Sequence, residues 1–169
     1  YDISEKEFTD KIEKARITLF NEREKRIHPY KDDKILTDWN GLMIAAFSMA
    51  GRTFNEPEYT KAASKAANFL LKDMRESNGK LLHRYRQGEA GIGANVDDYA
   101  FFIWGLLELY ESTFDINYLK AALSLQEELD KGFWDDKNGG YYFTSNDAEK
   151  LISRQKEIYD GAIPSGNSV

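Results

Sequence analysis

The stretch "DWNGLMIAAFSMAGRTFNEPEYTKAA", Asp38 to Ala63, decides the fold because the chain writes it twice. "TFNEPEYTKAA" at Thr53 to Ala63 returns as "TFDINYLKAA" at Thr113 to Ala122, and Asn78-Gly79 returns as Asn138-Gly139, each 60 residues further on. Ahead of each "TF" lies an apolar run introduced by an acid: Asp38 before "WNGLMIAAFSMAGR" and Asp98 before "YAFFIWGLLELYES". A third start, Asp160 in "DGAIPSGNSV", follows Asp98 by 62 residues. Self-similarity at this period marks a repeated supersecondary unit that buries its apolar face against its neighbours.

Each copy reads as two helices and a short strand-like tail. The first helix, Trp39 to about Thr53, is apolar nearly all round and is therefore an inner helix, buried on most sides. The second, about Glu58 to Arg75, gathers Tyr59, Ala62, Ala63, Ala66, Phe69 and Leu70 on one stripe and leaves Lys61, Lys65 and Lys72 outside it, as an outer helix does. Asn55 is expected to cap it, Pro57 to sit in its first turn and "SNG" at Ser77 to Gly79 to end it. "KLLHRYR", Lys80 to Arg86, alternates as a strand. The second copy predicts an inner helix over Tyr99 to Ser112, an outer one from Asn117 to about Lys131 and a tail at Gly140 to Thr144. Ahead of both, Ser4 with Glu7 forms a capping box opening a charged helix to about Ile27, with Phe8, Ile12, Leu19 and Phe20 as its apolar members, expected as an outer helix. The divisions are a helix at 4–27, hairpin repeats at 37–96 and 97–159, and the start of a third at 160–169. The fold class is all-α, a partial α/α toroid of helical hairpins with short β tails; an open helical solenoid is the alternative. Phe47, Phe69, Leu106 and Leu107 are expected between the helices.

Composition narrows the function. With 41% apolar and 14% aromatic residues the chain can bury a core, and 23 basic against 29 acidic residues lack the positive footprint of a nucleic-acid binder. No cysteine is present, so disulfides, thiol catalysis and cysteine-ligated zinc drop out within these residues. Two histidines far apart argue against a transition-metal site, and no cofactor is implied. No GxGxxG, P-loop or GxSxG motif appears. No apolar run approaches a membrane span, so a cytoplasmic chain without a membrane partner is expected.

Topology brings the polar residues together. Successive inner helices run parallel, so their N-termini share one rim that carries Asp38, Asp97, Asp98 and Asp160, with return loops adding His83, Arg84, Arg86 and Trp134. A helix-start Asp is first a cap, and the helix dipole favours its ionised form, which suits a base, a nucleophile or a hydroxyl acceptor. Two adjacent acids exceed what a cap needs, so Asp97 or Asp98 is the candidate base or nucleophile of a glycosidase. His83 is the candidate proton shuttle of a sugar isomerase, with Arg84 or Arg86 on the oxyanion. Alternation sets His83 and Tyr85 on one side of the strand and Arg84 and Arg86 on the other, so only one pair faces the funnel. Trp39, Tyr99 and Trp134 are candidate stacking platforms for a sugar ring, and Ser165 and Asn167 in "IPSGNS" sit where small residues admit a ligand. Leu106, Leu109 and Leu123 lie on the hairpin face next to the unfinished third copy, which predicts self-association.

Three blocks carry a resemblance. "DDKILTDWNGLMIAA" (Asp32 to Ala46), "LLHRYRQGEAGIGANVDDYAFFIWGLLELYESTFD" (Leu81 to Asp115) and "KEIYDGAIPSGNS" (Lys156 to Ser168) resemble the spermatogenesis-associated protein 20 family. That resemblance implies an N-terminal thioredoxin-like domain followed by an α/α toroid similar to six-hairpin glycosidases and N-acylglucosamine 2-epimerases, of which this chain matches the first part. It implies a carbohydrate-binding or carbohydrate-processing toroid. A non-catalytic ligand-binding or scaffold domain, partnering the thioredoxin-like domain, is the competing class.

Overall fold

A computed structural model describes residues 3–169. It divides into two compact units, one ending at Asp32 and one spanning Asp33–Val169. The first holds α1 (Glu5–Glu24), opened as its sequence dictates by Ser4, whose Oγ accepts from the Glu7 amide at 3.2 Å. No residue of α1 is buried, and Phe8, Ile12, Leu19 and Phe20 stay exposed.

The second unit is built from β1 (Ile35–Leu36), α2 (Thr37–Phe54), α3 (Pro57–Asp73), β2 (Leu82–Arg86), β3 (Glu89–Gly93), α4 (Val96–Thr113) and α5 (Ile116–Phe133). The two inner helices α2 and α4 form its most extensive contact, and α3 and α5 back onto them as outer helices. Cross-links at both ends fix the pair as parallel. The Asp38 amide donates to Asp98 near the N-termini, and Arg52 meets Glu108 and Ser112 near the C-termini. Two glycines allow the close approach: a Cβ on Gly41 would lie 2.5 Å from the Phe101 carbonyl carbon, and one on Gly105 would lie 2.7 Å from the Gly41 oxygen. Phe102, Leu106 and Leu109 from α4, Leu70 from α3 and Leu125 from α5 fill the space between the layers, fully buried.

Some expectations shift. Leu107 is 39% exposed, while Phe47 and Phe69 are half-buried against the core, Phe47 stacking on Tyr59. Leu106 and Leu109 are fully covered, so of the three leucines expected on an open face only Leu123 remains exposed. Asn55 does not cap α3, whose N-cap is Glu56; it closes α2 in the left-handed conformation instead. Pro57 opens α3 as expected. The Gly140–Thr144 tail makes only an isolated bridge between Tyr141 and Trp134, while the Lys80–Arg86 tail gains two antiparallel partners in the order β1-β2-β3. β3 follows from Gln87 and Gly88, both at positive φ, which form the two-residue turn that matches strand twist.

The left-handed residue that ends the inner helix is Asn55 in the first copy and Phe114 in the second (φ 55°), the latter 79% exposed. An exposed phenylalanine there suffers the Cβ clash that Asn tolerates. Phe114→Asn is expected to raise stability by about 0.5 kcal/mol, offset only by loss of an edge contact with Tyr110. Urea unfolding reads the change, and a lower midpoint would mean the Tyr110 contact dominates.

Candidate active site

The site is built around Asp98, in the first turn of α4 and 1% exposed. Its Oδ2 accepts from the Asn95 amide at 2.8 Å, the reciprocal half of a capping arrangement legible as Asn95-x-x-Asp98. Its Oδ1 accepts from the Asp38 amide at 3.0 Å, tying α2 to α4. His83 on β2 places Nδ1 at 2.9 and 3.0 Å from the two oxygens. One carboxylate therefore holds two helix N-termini and an imidazole. With Nδ1–H donated to Asp98, the neutral ring keeps its lone pair on Nε2.

Burial and neighbours set the protonation states. The hydrogen bond to Asp98 raises the His83 pKa above its ordinary value, against the opposing effect of burial. Asp38 is raised first by burial and then by the Asp98 charge, although its carboxylate accepts from the Trp39 amide at 2.7 Å. Asp97 is also raised by burial, opposed by the Gly166 amide donating to its Oδ1 at 2.8 Å. For Asp38 and Asp97 desolvation thus outweighs the amide hydrogen bonds that favour the ionised form, and both hold a proton more readily than the sequence argument expects.

His83 and Asp38 bind protons more tightly folded than unfolded. The stability His83 supplies is complete below about pH 6.5 and is lost as pH rises through its folded pKa; Asp38 acts in the same direction at lower pH. Melting temperature is expected to fall from pH 6 to pH 8, with a shallower slope in His83→Gln. Parallel slopes in the two proteins would remove His83 from that window.

Of the residues expected at the rim, Asp38, His83 and Asp98 come together, with one ligand atom of each within 4.8 Å of the others. Among the described residues this is the group whose spacing suits a divalent ion. Within it, the Asp98 oxygens already accept from His83 and two amides. The remaining candidates lie elsewhere or are engaged. Tyr99, expected on the rim, is core: 3% exposed, its ring against Phe133 and its hydroxyl accepting from the Leu81 amide. Asn167 spends its side chain on Tyr141 N and O and on Glu157 O, clipping the 141 loop to the start of the third copy. Asp160 accepts from the Ser165 amide at 2.9 Å and is lowered by hydrogen bonds from Ser168 and then Ser165, as a turn-capping acid is. Ser165 is buried, Trp134 packs edge-on to Tyr141, and Trp39 is 62% exposed. Arg86 meets Asp33 at 2.8 Å. Tyr85 packs on Phe69 and His83 reaches Asp98, so this strand face turns to the helices and Arg84 and Arg86 take the other. A cleft of about 1000 Å³ elsewhere on this unit is lined by none of Asp38, His83 and Asp98. An Asp135–Lys156 pair that the sequence reading missed locks the return loop, at 2.6 Å.

Parallel inner helices backed by outer helices define a partial α/α toroid of the six-hairpin glycosidase type. The cellobiose 2-epimerase of Bacillus thermoamylovorans superposes with a TM-score of 0.66 at 20% identity, over 82% of this chain and 36% of that one. A GH76 α-mannanase of Bacteroides thetaiotaomicron gives 0.63 at 21%, over 76% and 36%. By sequence the chain is a relative of spermatogenesis-associated protein 20: the human protein is 35% identical over 161 residues, 89% of this chain and 20% of that protein. The rat protein of that name is 38% identical with the same coverage, and an uncharacterized Caenorhabditis elegans protein is 36% identical over all of this chain and 24% of its own length. The chain therefore spans about a fifth of the length of the curated relatives it matches. No family model matches it. Among the described residues no helix is long and apolar enough to cross a membrane.

Proposed function

We propose that the toroid to which this chain contributes two hairpins binds a carbohydrate and moves a proton on it. His83 is the moving group, Asp98 orients it, and Asp38 is the adjacent acid. The observation that carries the reading is the two-oxygen contact of Asp98 with His83 Nδ1. It leaves Nε2 to take the proton next to the carbonyl of an open-chain sugar. The C–H electron pair then becomes the enediolate double bond, the carbonyl oxygen gains the charge, and the imidazolium returns the proton to a sugar carbon. The toroid neighbours named for cellobiose 2-epimerase and D-mannose isomerase support this class by fold analogy. A cytoplasmic location and a thioredoxin-like domain elsewhere in the full-length protein complete the reading.

Glycoside hydrolysis is the second reading, and the raised pKa values of Asp38 and Asp97 favour it, because a glycosidase needs one carboxyl that keeps its proton. Incubating the full-length protein with reducing sugars in D₂O separates the two. Proton transfer predicts deuterium at the carbon next to the carbonyl, reduced about 100-fold or more in His83→Gln. Cleavage of oligosaccharides without deuterium uptake, retained in His83→Gln, would replace it with hydrolysis. Sugar binding with neither reaction would leave a ligand-binding scaffold.

A further inference from the structure

The first turn of α4 carries two adjacent acids, and each reaches a different copy of the repeat. Asp98 Oδ1 accepts from the Asp38 amide, at the start of the preceding inner helix, at 3.0 Å. Asp97 Oδ1 accepts from the Gly166 amide, in the turn that opens the third copy, at 2.8 Å. Consecutive residues of an α-helix point about 100° apart, so a single turn can grip both neighbours.

Gly166 is seated closely enough to transmit its position. It is buried, and a Cβ there would lie 2.6 Å from Asp97 Oδ1 and 3.2 Å from Val96 Cγ1. The turn around it is held from several sides. Ser165 donates its amide to Asp160 and its hydroxyl lies 3.0 Å from that of Ser168, while the Ser168 amide returns to the Ser165 carbonyl. Asn167 ties the same turn to Tyr141 and to the Glu157 carbonyl. The second tail adds an anchor on α4 itself, since the Val96 amide donates to the Phe143 carbonyl at 3.0 Å. A helical first turn moves as one body, because its carbonyls are bonded to the turn that follows. Displacing Asp97 therefore displaces Asp98, whose two oxygens meet the Asp38 amide, the Asn95 amide and His83 Nδ1 together.

We propose that Asp97 is a positioning residue for His83: by holding the Gly166 amide it fixes the first turn of α4, and with it the aim of Asp98 at the imidazole. The role asks for an acceptor oxygen and not for a proton. It rests on the reading of Asp98 and His83 as the working pair, and it gives the turn that opens the third copy a hold on a site built from the first two.

The test uses the full-length protein and reads the Nδ1-protonated fraction of the neutral His83 ring by nitrogen-15 NMR, kcat and KM for deuterium uptake by a reducing sugar, and melting temperature. Asp97→Ala is expected to lower the Nδ1-protonated fraction and to cut kcat about tenfold or more, with KM changed less. Asp97→Asn keeps an acceptor for the Gly166 amide, so it is expected to hold the ring signal and to lose no more than about threefold in kcat. Gly166→Ala presses a methyl on the carboxylate and should disturb the ring as Asp97→Ala does. The double variant should be no worse than Asp97→Ala alone, because both act through one contact. An unchanged ring and kcat in Asp97→Ala would overturn the proposal, and a fall in melting temperature alone would make the residue structural. Equal losses of kcat in Asp97→Asn and Asp97→Ala would make the carboxyl itself necessary and equally defeat it. A wild-type protein that takes up no deuterium would remove the proton-transfer reading, and the ring signal would still decide whether Asp97 positions His83.

Discussion

Asp98→Ala is expected to lose about 3–5 kcal/mol of folding stability, because it removes a buried carboxylate that answers three donors at once. The amides of Asn95 and Asp38 and the imidazole Nδ1 would be left without their acceptor, and the first two anchor the N-termini of both inner helices. Water entry and a change of imidazole tautomer recover part of the loss, which keeps the figure below the sum for three orphaned donors. Asp98→Asn keeps one acceptor oxygen and should lose about half as much. It also removes the charge that orients His83 and raises its basicity, so under proton transfer its turnover falls further than its stability. Urea unfolding of both variants measures the first effect. A loss below about 1 kcal/mol in the alanine variant would show that the network adds little.

Gly41→Ala is expected to lose about 3 kcal/mol even though alanine favours the helix by about 1 kcal/mol. The new methyl would press on the backbone of Phe101 and Phe102, at 2.5 and 2.6 Å, and backbone cannot rotate aside as a side chain can. The only relief is to part α2 from α4, which loosens the core at Ile44 and Phe102. Gly105→Ala meets the same interface from the other helix, so the double variant should lose less than the sum of the two singles, since helices already parted accept the second methyl cheaply. Additive losses would mean the two glycines serve separate contacts.

The 60-residue repeat disclosed the hairpins because inner helices, buried on most sides, cannot hide their composition, and the stripe on α3 is plain at helical period. What stayed illegible were the departures between the copies. The second copy is one residue shorter after its "TF" and its left-handed turn falls on Phe114 where the first uses Asn55, and the second tail keeps one bridge where the first joins a sheet. The sheet depended on Gln87-Gly88, a weaker turn signal than Asn-Gly, and on two residues of β1 that no periodicity marks. At the site, topology put Asp38, His83 and Asp98 at one rim, but sequence could not apportion their roles. Asp98, expected as base or nucleophile, has its oxygens engaged, and that assignment needed the register that sets His83 rather than Arg84 towards α4. Tyr99 looked like a rim aromatic because it opens a helix; its hydroxyl turns inward to the Leu81 amide, a contact no spacing reveals.

The central claim is that Asp98 orients the His83 imidazole through Nδ1 and raises its proton affinity. Nitrogen-15 NMR of the histidine rings across a pH titration tests it most directly. The account predicts a neutral His83 protonated on Nδ1 with a lone pair on Nε2, a pKa above the ordinary histidine value of about 6.5, and a fall in that pKa in Asp98→Asn. A neutral ring protonated on Nε2, or a titration at or below the ordinary value that Asp98→Asn does not move, would contradict it.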